Sequence, residues 1–367
     1  MNGAGPAARL ALPLALALLA ACGGPADGDG AGKLSPALRI PGIVDDLRAS
    51  SCPAGSRHQP LPTIPLSITP FVLENIAAAE DLPGARFVGG WHLESREPAF
   101  GGLSGLAWDG AQKRLLAVTD RGAFVALELE DGQPAGARLA PMRFADAAAA
   151  GKAGRDAEGL ALYRGIALVS FEHRHEVLAF AVADCGAAAR GVPVAAFTAA
   201  IVGLTRPLNA NHGAEGLAVG NDGSVLLALE TQDDGLPLAR LLANGGAQVV
   251  GRIAPRGRPV LTGLDGAGTQ LYAVLRDYLP GIGNTIEAIA LPAGDGVPDT
   301  GTPRRVLRLT PQHGTDNIEG IALVRREDGG LRLWLVSDDN FASRQRTLLY
   351  AFDLAAMTGN AGAQPSP

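Results

Sequence analysis

Apolar positions along this chain fall in short runs, not in long helical stripes. Residues 115–119, 166–171, 225–229, 271–275 and 333–337 are each mostly apolar and bounded by turn-forming residues. Runs of that length and setting predict buried strands. Ahead of each stands a version of one phrase: Leu103-Ser-Gly-Leu-Ala-Trp108, Ala157-Glu-Gly-Leu-Ala-Leu162, Ala214-Glu-Gly-Leu-Ala-Val219, Leu261-Thr-Gly-Leu-Asp-Gly266 and Ile318-Glu-Gly-Ile-Ala-Leu323. Their glycines, Gly105, Gly159, Gly216, Gly263 and Gly320, lie 54, 57, 47 and 57 residues apart. Periods of this size predict propeller blades.

A third strand is expected in each unit, for example over 124–130, 176–182 and 348–354, and a fourth in four units, as at 247–253 and 304–309. The last unit runs out of chain, so residues 85–93, which have strand composition, are expected to complete it and close the ring, leaving no exposed edge. The expectation is an all-β propeller over residues 85–355 with five four-stranded blades, or six if one inter-repeat stretch hides a degenerate unit. An open pair of β-sandwiches is the alternative.

Composition agrees with many turns and a large core: 49 Gly, 26 Pro and nearly half the residues apolar. A formal charge of -6, without aromatics interleaved among basic clusters, excludes a nucleic-acid surface. A monomer is expected.

The ends change the picture of where the protein works. Residues 10–20 form an apolar run too short to span a bilayer and suited to a signal peptide ending at residue 21, and Leu19-Ala20-Ala21-Cys22-Gly23 has the order of a lipobox. Cys22 is the expected lipidation site, and an ordinary signal peptide is the alternative. Gly, Ala and Asp dominate the following stretch, so residues 22–40 read as a tether, 41–84 as a segment before the propeller and 356–367 as a disordered tail. The body would be lipid-anchored in the cell envelope without crossing the membrane, Gly23 after the lipidated Cys resembling lipoproteins sent to the outer membrane, here facing the periplasm. Cys52 and Cys185 remain as the other thiols. An oxidising compartment favours joining them, although spacing alone leaves two separate thiols open.

In an antiparallel blade the start of the innermost strand and the end of the second meet on one face of the disc. Those places hold Ser104, Glu158, Glu215, Thr262 and Glu319, then Asp120, Glu172, Glu230, Asp277 and Asp338, with Asp156, Asn211, His212, Asn317, Asp339 and Asn340 beside them. Gathered carboxylates repel and raise one another's pKa unless a cation or basic group offsets them. Their oxygens are the ligand set of Ca²⁺, and Asp156, Glu158, Glu172, Glu215, Glu319 and Asp338 are the candidate ligands. Arg121, Arg155, His173, Arg174, His212 and Arg276 adjoin the acids as candidate anion-binding groups, and salt bridges locking the ring are the alternative account. Tyr272, Tyr278 and Phe341 lie close to the acid-bearing ends, while Trp91, Trp108 and Trp334 fall on expected strands. No Gly-x-Ser-x-Gly elbow occurs, and no His or Cys joins His173 and His175 at zinc-ligand spacing.

At these phrases the chain resembles the bacterial family grouped as esterase-like activity of phytase. The resemblance rests on Gly102-Leu-Ser-Gly-Leu106 with Val118-Thr-Asp-Arg-Gly122, Asp156-Ala-Glu-Gly-Leu160 with Val169-Ser-Phe-Glu172, Asn211-His-Gly-Ala-Glu-Gly216, and Asn317-Ile-Glu-Gly-Ile321 with Leu335-Val-Ser-Asp-Asp-Asn-Phe341. It implies a propeller-like domain and an esterase or phosphoesterase activity falling on Asp120, Asp156, Glu158, Glu172, Glu215, Glu319 and Asp338. The expected function is metal-assisted hydrolysis of a small ester or phosphoester, with Glu158, Glu215, Glu319 and Asp120 as the reacting groups. A non-catalytic envelope propeller binding a ligand or partner, its acids purely structural, is the competing expectation.

Overall fold

Repeated turn chemistry and apolar runs give five antiparallel meanders of four strands in the computed structural model, which describes residues 35–144, 151–197, 201–294 and 297–355. From the axis outwards, the first blade is Leu103–Asp109, Arg114–Thr119, Ala123–Glu130 and Gln133–Pro141. The second is Ala157–Tyr163, Ile166–Phe171, Glu176–Phe180 and Val192–Ala196, and the third is Ala214–Val219, Val225–Leu229, Leu236–Leu241 and Ala247–Ile253. The fourth is Val260–Ala267, Gln270–Leu279, Gly283–Gly294 and Arg304–Leu309. Asn317–Arg325, Leu331–Asp338 and Leu348–Leu354 begin the fifth, and Ala85–Glu94 pairs antiparallel with Leu348–Leu354 as its fourth strand.

The repeated glycines explain how the inner strands meet. A Cβ on Gly105 would lie 2.4 Å from the Glu158 carbonyl oxygen, and one on Gly159 would lie 3.0 Å from the Gly216 backbone. Gly216 abuts Gly263 and Leu264, Gly263 abuts Glu319, and Gly320 abuts Ser104 and Leu106 of the first blade. The contacts therefore return to their start after five units, which rules out a sixth blade. Only a residue without a side chain permits backbone approach this close. In every inner strand the pairing register also shifts at this point, between Leu103 and Leu106, Ala157 and Leu160, Ala214 and Gly216, Leu261 and Gly263, and Ile318 and Gly320. Such bulges re-aim side chains, here the residue before each glycine.

Core packing lies in the seams between blades. Trp91 and Trp334 stack at 5.8 Å beside Leu106 and Leu115 in the seam of blades five and one. Phe124 and Phe180 meet edge to face at 5.2 Å between blades one and two. Tyr272, expected near the acids, is instead buried between blades four and five with Tyr350 and Leu335. Full burial of each such aromatic or leucine is worth roughly 1.5–3 kcal/mol, so the seams dominate the favourable side of stability.

The stretch ahead of the blades is a belt, not a separate segment. Leu38 N–H donates to the Leu241 carbonyl and Ile40 N–H to that of Gly223, both at 2.9 Å, so the chain is already docked on blade three where a tether was expected. Those turns lie at the end of blade three opposite its acids. Val44–Ser51 is a helix with Val44 and Leu47 buried in the seam of blades two and three. Cys52 then bonds to Cys185, their Cα atoms 5.7 Å apart, and Thr63–Ile64 pairs with the outer strand of blade one. Ser67–Phe71 joins blade five, and Gly84 N–H donates to Val306 O of blade four at 2.9 Å. The belt thus touches all five blades. A third strand expected to reach residue 182 stops at Phe180, because Ala181 N–H is taken by Ser51 Oγ of the belt at 2.8 Å and a short helix, Val182–Cys185, carries Cys185 to its partner.

The expected signal peptide, Cys22 as the expected lipidation site, most of the expected tether and the expected tail lie outside the described residues. Among the described residues no helix is long and apolar enough to cross a membrane.

Candidate functional site

Each inner strand delivers one polar side chain towards the axis: Ser104, Glu158, Glu215, Thr262 and Glu319, all buried. One step further along, Leu106, Leu160, Leu217, Leu264 and Ile321 close the axis, leaving about 10 Å³ between them and the polar tier. The polar tier is therefore the floor of a bowl, not the entrance of a tunnel.

The walls come from the residue following each second strand. Backbone N–H groups of Asp120, Glu172 and Glu230 donate to the carbonyls of Gly102, Asp156 and Gly213 at 3.0 Å, the same bond in three blades. In blade five the equivalent residue, opposite Asn317, is Asp338. In blade four the register places Arg276 there, opposite Val260. Asp277 was the expected wall residue and is one position off: its side chain lies on the other face of the hairpin, beside Gly257 and Arg258. Spacing does not separate the two, since Arg276 follows Gly263 by 13 residues, as Glu172 follows Gly159, and Asp277 follows it by 14, as Glu230 follows Gly216.

Arg276 is the centre of a network across three blades. It donates to Asn317 Oδ1 at 2.8 Å and to Glu230 at 3.1 Å, and it pairs with Glu319. Asn317 Nδ2 also donates to Glu319 at 2.9 Å, and Asn284 from blade four reaches Asn317 at 3.3 Å. Loss of water weakens the Arg276 charge, but Glu319, Glu230 and Glu215 overcome this and hold its pKa above the ordinary arginine value. The sequence placed Arg276 among the anion-binding groups; the structure engages it with the protein's own acids. Asn284 was not anticipated, as nothing before folding marks it as a neighbour of Asn317.

One arginine does not neutralise the rest. Burial, then Glu215, Glu319, Asp156 and Glu172, raise the Glu158 pKa well above the usual range. Glu215 is raised well above it by burial and by Glu230, Glu319 and Glu172 against Arg276, and its buried Oε1 has no hydrogen-bond partner. Asp338 is raised by burial and Glu319, despite the bond it accepts from Asn340 N–H at 2.6 Å. Oxygens of Glu172, Glu215 and Glu230 all lie within 4.8 Å of one another, as do ligand atoms of Asp156, Glu172 and His173. These two groups share Glu172, and the first offers only carboxylate oxygens.

The other expected residues divide. His173 Nε2 lies 3.1 Å from Asp156 and 3.4 Å from Glu172, inside the site. Burial raises the Glu230 pKa, with Arg276 and then His212 opposing it. Exposed Arg121 follows Asp120 and lies over the Phe341 ring at 3.3 Å, while exposed Arg155 packs against Gly122. Arg174 pairs with Glu176 at 2.5 Å on the strand behind Glu172. Asp339, named only as a neighbour, accepts Gly102 N–H at 2.8 Å and Thr347 Oγ1 at 3.0 Å, tying blade five to blade one.

Among solved structures, the chain is similar to glutaminyl cyclase of Myxococcus xanthus, with a TM-score of 0.41, 16% identity, 74% of this chain and 97% of that one covered. An α-L-arabinofuranosidase of Clostridium thermocellum gives 0.40 at 12% identity, covering 66% and 84%. Both likenesses are too distant to argue from. No curated protein matches the chain. The pattern of the phytase-like family, described as esterase-like activity of phytase, matches residues 98–341, spanning every acid of the bowl, and the chain belongs to that family.

Proposed function

We propose that the protein is an envelope lipoprotein, anchored through Cys22, whose acidic bowl hydrolyses phosphoric esters with the help of a divalent cation, calcium being the best fit. The observation that carries this reading is the convergence of Glu172, Glu215 and Glu230 oxygens within 4.8 Å, with Glu215 Oε1 buried and unpaired. A buried carboxylate oxygen without a partner costs about 1–3 kcal/mol or more, which a hard cation would offset.

Glu172, Glu215 and Glu230 would hold the ion, with Asp156, Glu158 and Asp338 as further oxygen donors around the same bowl. A bound cation would supply charge neutralisation and polarise the ester. Exposed Arg121 and Arg155, with His173 on the wall, would grip phosphate oxygens; Arg276 and Arg174 are committed to Glu319, Glu230 and Glu176 and serve the frame. Glu319, held by Arg276 and Asn317, fixes the floor on which Glu158 is aimed. Glu158 and Asp120 would move protons between water, ester oxygen and leaving group.

The test is metal content and calcium-dependent melting of the body from Ser35 onward, followed by a panel of phosphomonoesters, phosphodiesters and carboxylic esters. A chelator-reversible rise in Tm with hydrolysis lost in Glu158→Gln and Glu215→Gln supports the reading. A metal-free protein indifferent to chelator and inert to the panel favours the second reading, a non-catalytic binding propeller, for which the closed axis and the Arg276 network speak.

A further inference from the structure

One hairpin stands out on the acid face. Gln270–Leu279 and Gly283–Gly294 of blade four pair without interruption, and the ladder continues past Arg276 through Asp277 with Thr285, Tyr278 with Asn284 and Leu279 with Gly283. The second strands of blades two and three end at Phe171 and Leu229, one residue before their wall acids. Blade four therefore carries its hairpin beyond the wall residue on the acid face.

Side chains alternate along such a ladder, so Arg276 and Tyr278 share a face while Leu275, Asp277 and Leu279 share the other. Contacts agree with this. Arg276 reaches Glu319 and Asn317, and Asn284, cross-strand from Tyr278, reaches the same Asn317. On the reverse face Leu275, Asp277, Leu279, Thr285 and Glu287 line a separate cavity of about 330 Å³. Tyr278 is thus one register step out from the site arginine on the site side of the hairpin, and it is 62% exposed.

The geometry points to Tyr278 as a specificity-determining residue of the bowl: it meets the organic group of the ester, selecting phosphoric esters whose leaving group is aromatic or otherwise planar and apolar. The inference rests on the proposed hydrolytic reading and adds a substrate class to it. A tyrosine ring offers stacking area with little side-chain entropy to lose, and its position leaves the charged end of the ester over the acids and cation.

Phenyl phosphate and ethyl phosphate would be compared as substrates of wild type, Tyr278→Ala, Tyr278→Phe and Leu279→Ser. Expected is a KM about tenfold higher for phenyl phosphate alone in Tyr278→Ala, with kcat within about twofold, rescue by Tyr278→Phe, and no change in Leu279→Ser. Equal losses on both esters, or none on either, overturn the inference. If no ester is turned over, calorimetric binding of phenylphosphonate and ethylphosphonate in calcium separates the ideas. Preference for the phenyl ligand that disappears in Tyr278→Ala keeps the residue's role while hydrolysis falls, and absence of that preference overturns both.

Discussion

Blades two and four are built alike and charged oppositely. Both carry the bulged inner strand, the close-packed glycine and a wall residue 13 positions later, yet blade two supplies Asp156, Glu158 and Glu172 where blade four supplies Thr262 and Arg276. The backbone device is thus indifferent to what it presents. What distinguishes blade four is that it sets a basic side chain where its neighbours set acids, so the charge of the bowl is set by a few side chains on a constant frame.

The largest effect is expected where that answer is removed. Arg276→Met leaves Glu319 and Glu230 buried without their cation, and loss of one partner of a buried pair costs about 3–5 kcal/mol. Chemical denaturation should show the loss at neutral pH; an unchanged midpoint would mean the network contributes nothing to the frame. Next come the glycines. Gly263→Ala drives a Cβ to 2.4 Å from the Glu319 carbonyl, a backbone atom, whereas Gly159→Ala meets first the Ser170 hydroxyl at 2.7 Å. Overpacking of this kind costs about 1–3 kcal/mol, and the blade-four variant should be the worse of the two by denaturant midpoint.

Glu158 tests blade two by pH. Its folded pKa is raised, so its proton is held more tightly in the native chain, and the stability this gives is full below the unfolded value of roughly 4.3 and is lost as pH rises through the folded value. Chelated protein should therefore melt at a lower temperature at about pH 8 than at about pH 5 on this account, and Glu158→Gln should reduce the slope by a few degrees, on the order of 1 kcal/mol. A slope identical in the variant would remove Glu158 from the uncompensated charge. The smallest effect belongs to Thr262, whose hydroxyl lies 3.3 Å from the Ile318 carbonyl: Thr262→Val should cost about 1 kcal/mol and leave calcium-dependent melting unchanged.

Much of this was legible before folding because it is periodic. The repeated Gly gave the blade count, the flanking turn residues gave most strand bounds, and Glu158, Glu215 and Glu319 could be placed on one face from strand direction alone. Errors arose where a local count had to be made without partners. Asp277 and Arg276 are adjacent, and a shift of one residue along a strand reverses the face, so only the pairing with Val260 could choose between them. Tyr272, with the same strand composition as its neighbours, was drawn into a seam that exists only once blades four and five meet.

The sequence by itself determined the repeat, the all-β class and the acidity of one face, since these follow from spacing and alternation within each unit. Tertiary structure alone decided that the leading segment is a belt around five blades, that Arg276 answers Glu319 and Glu230, and that Asn284 of the blade-four hairpin reaches Asn317 of blade five. Each of those depends on distances between residues far apart in the chain, and no local propensity encodes such a distance until the ring has closed.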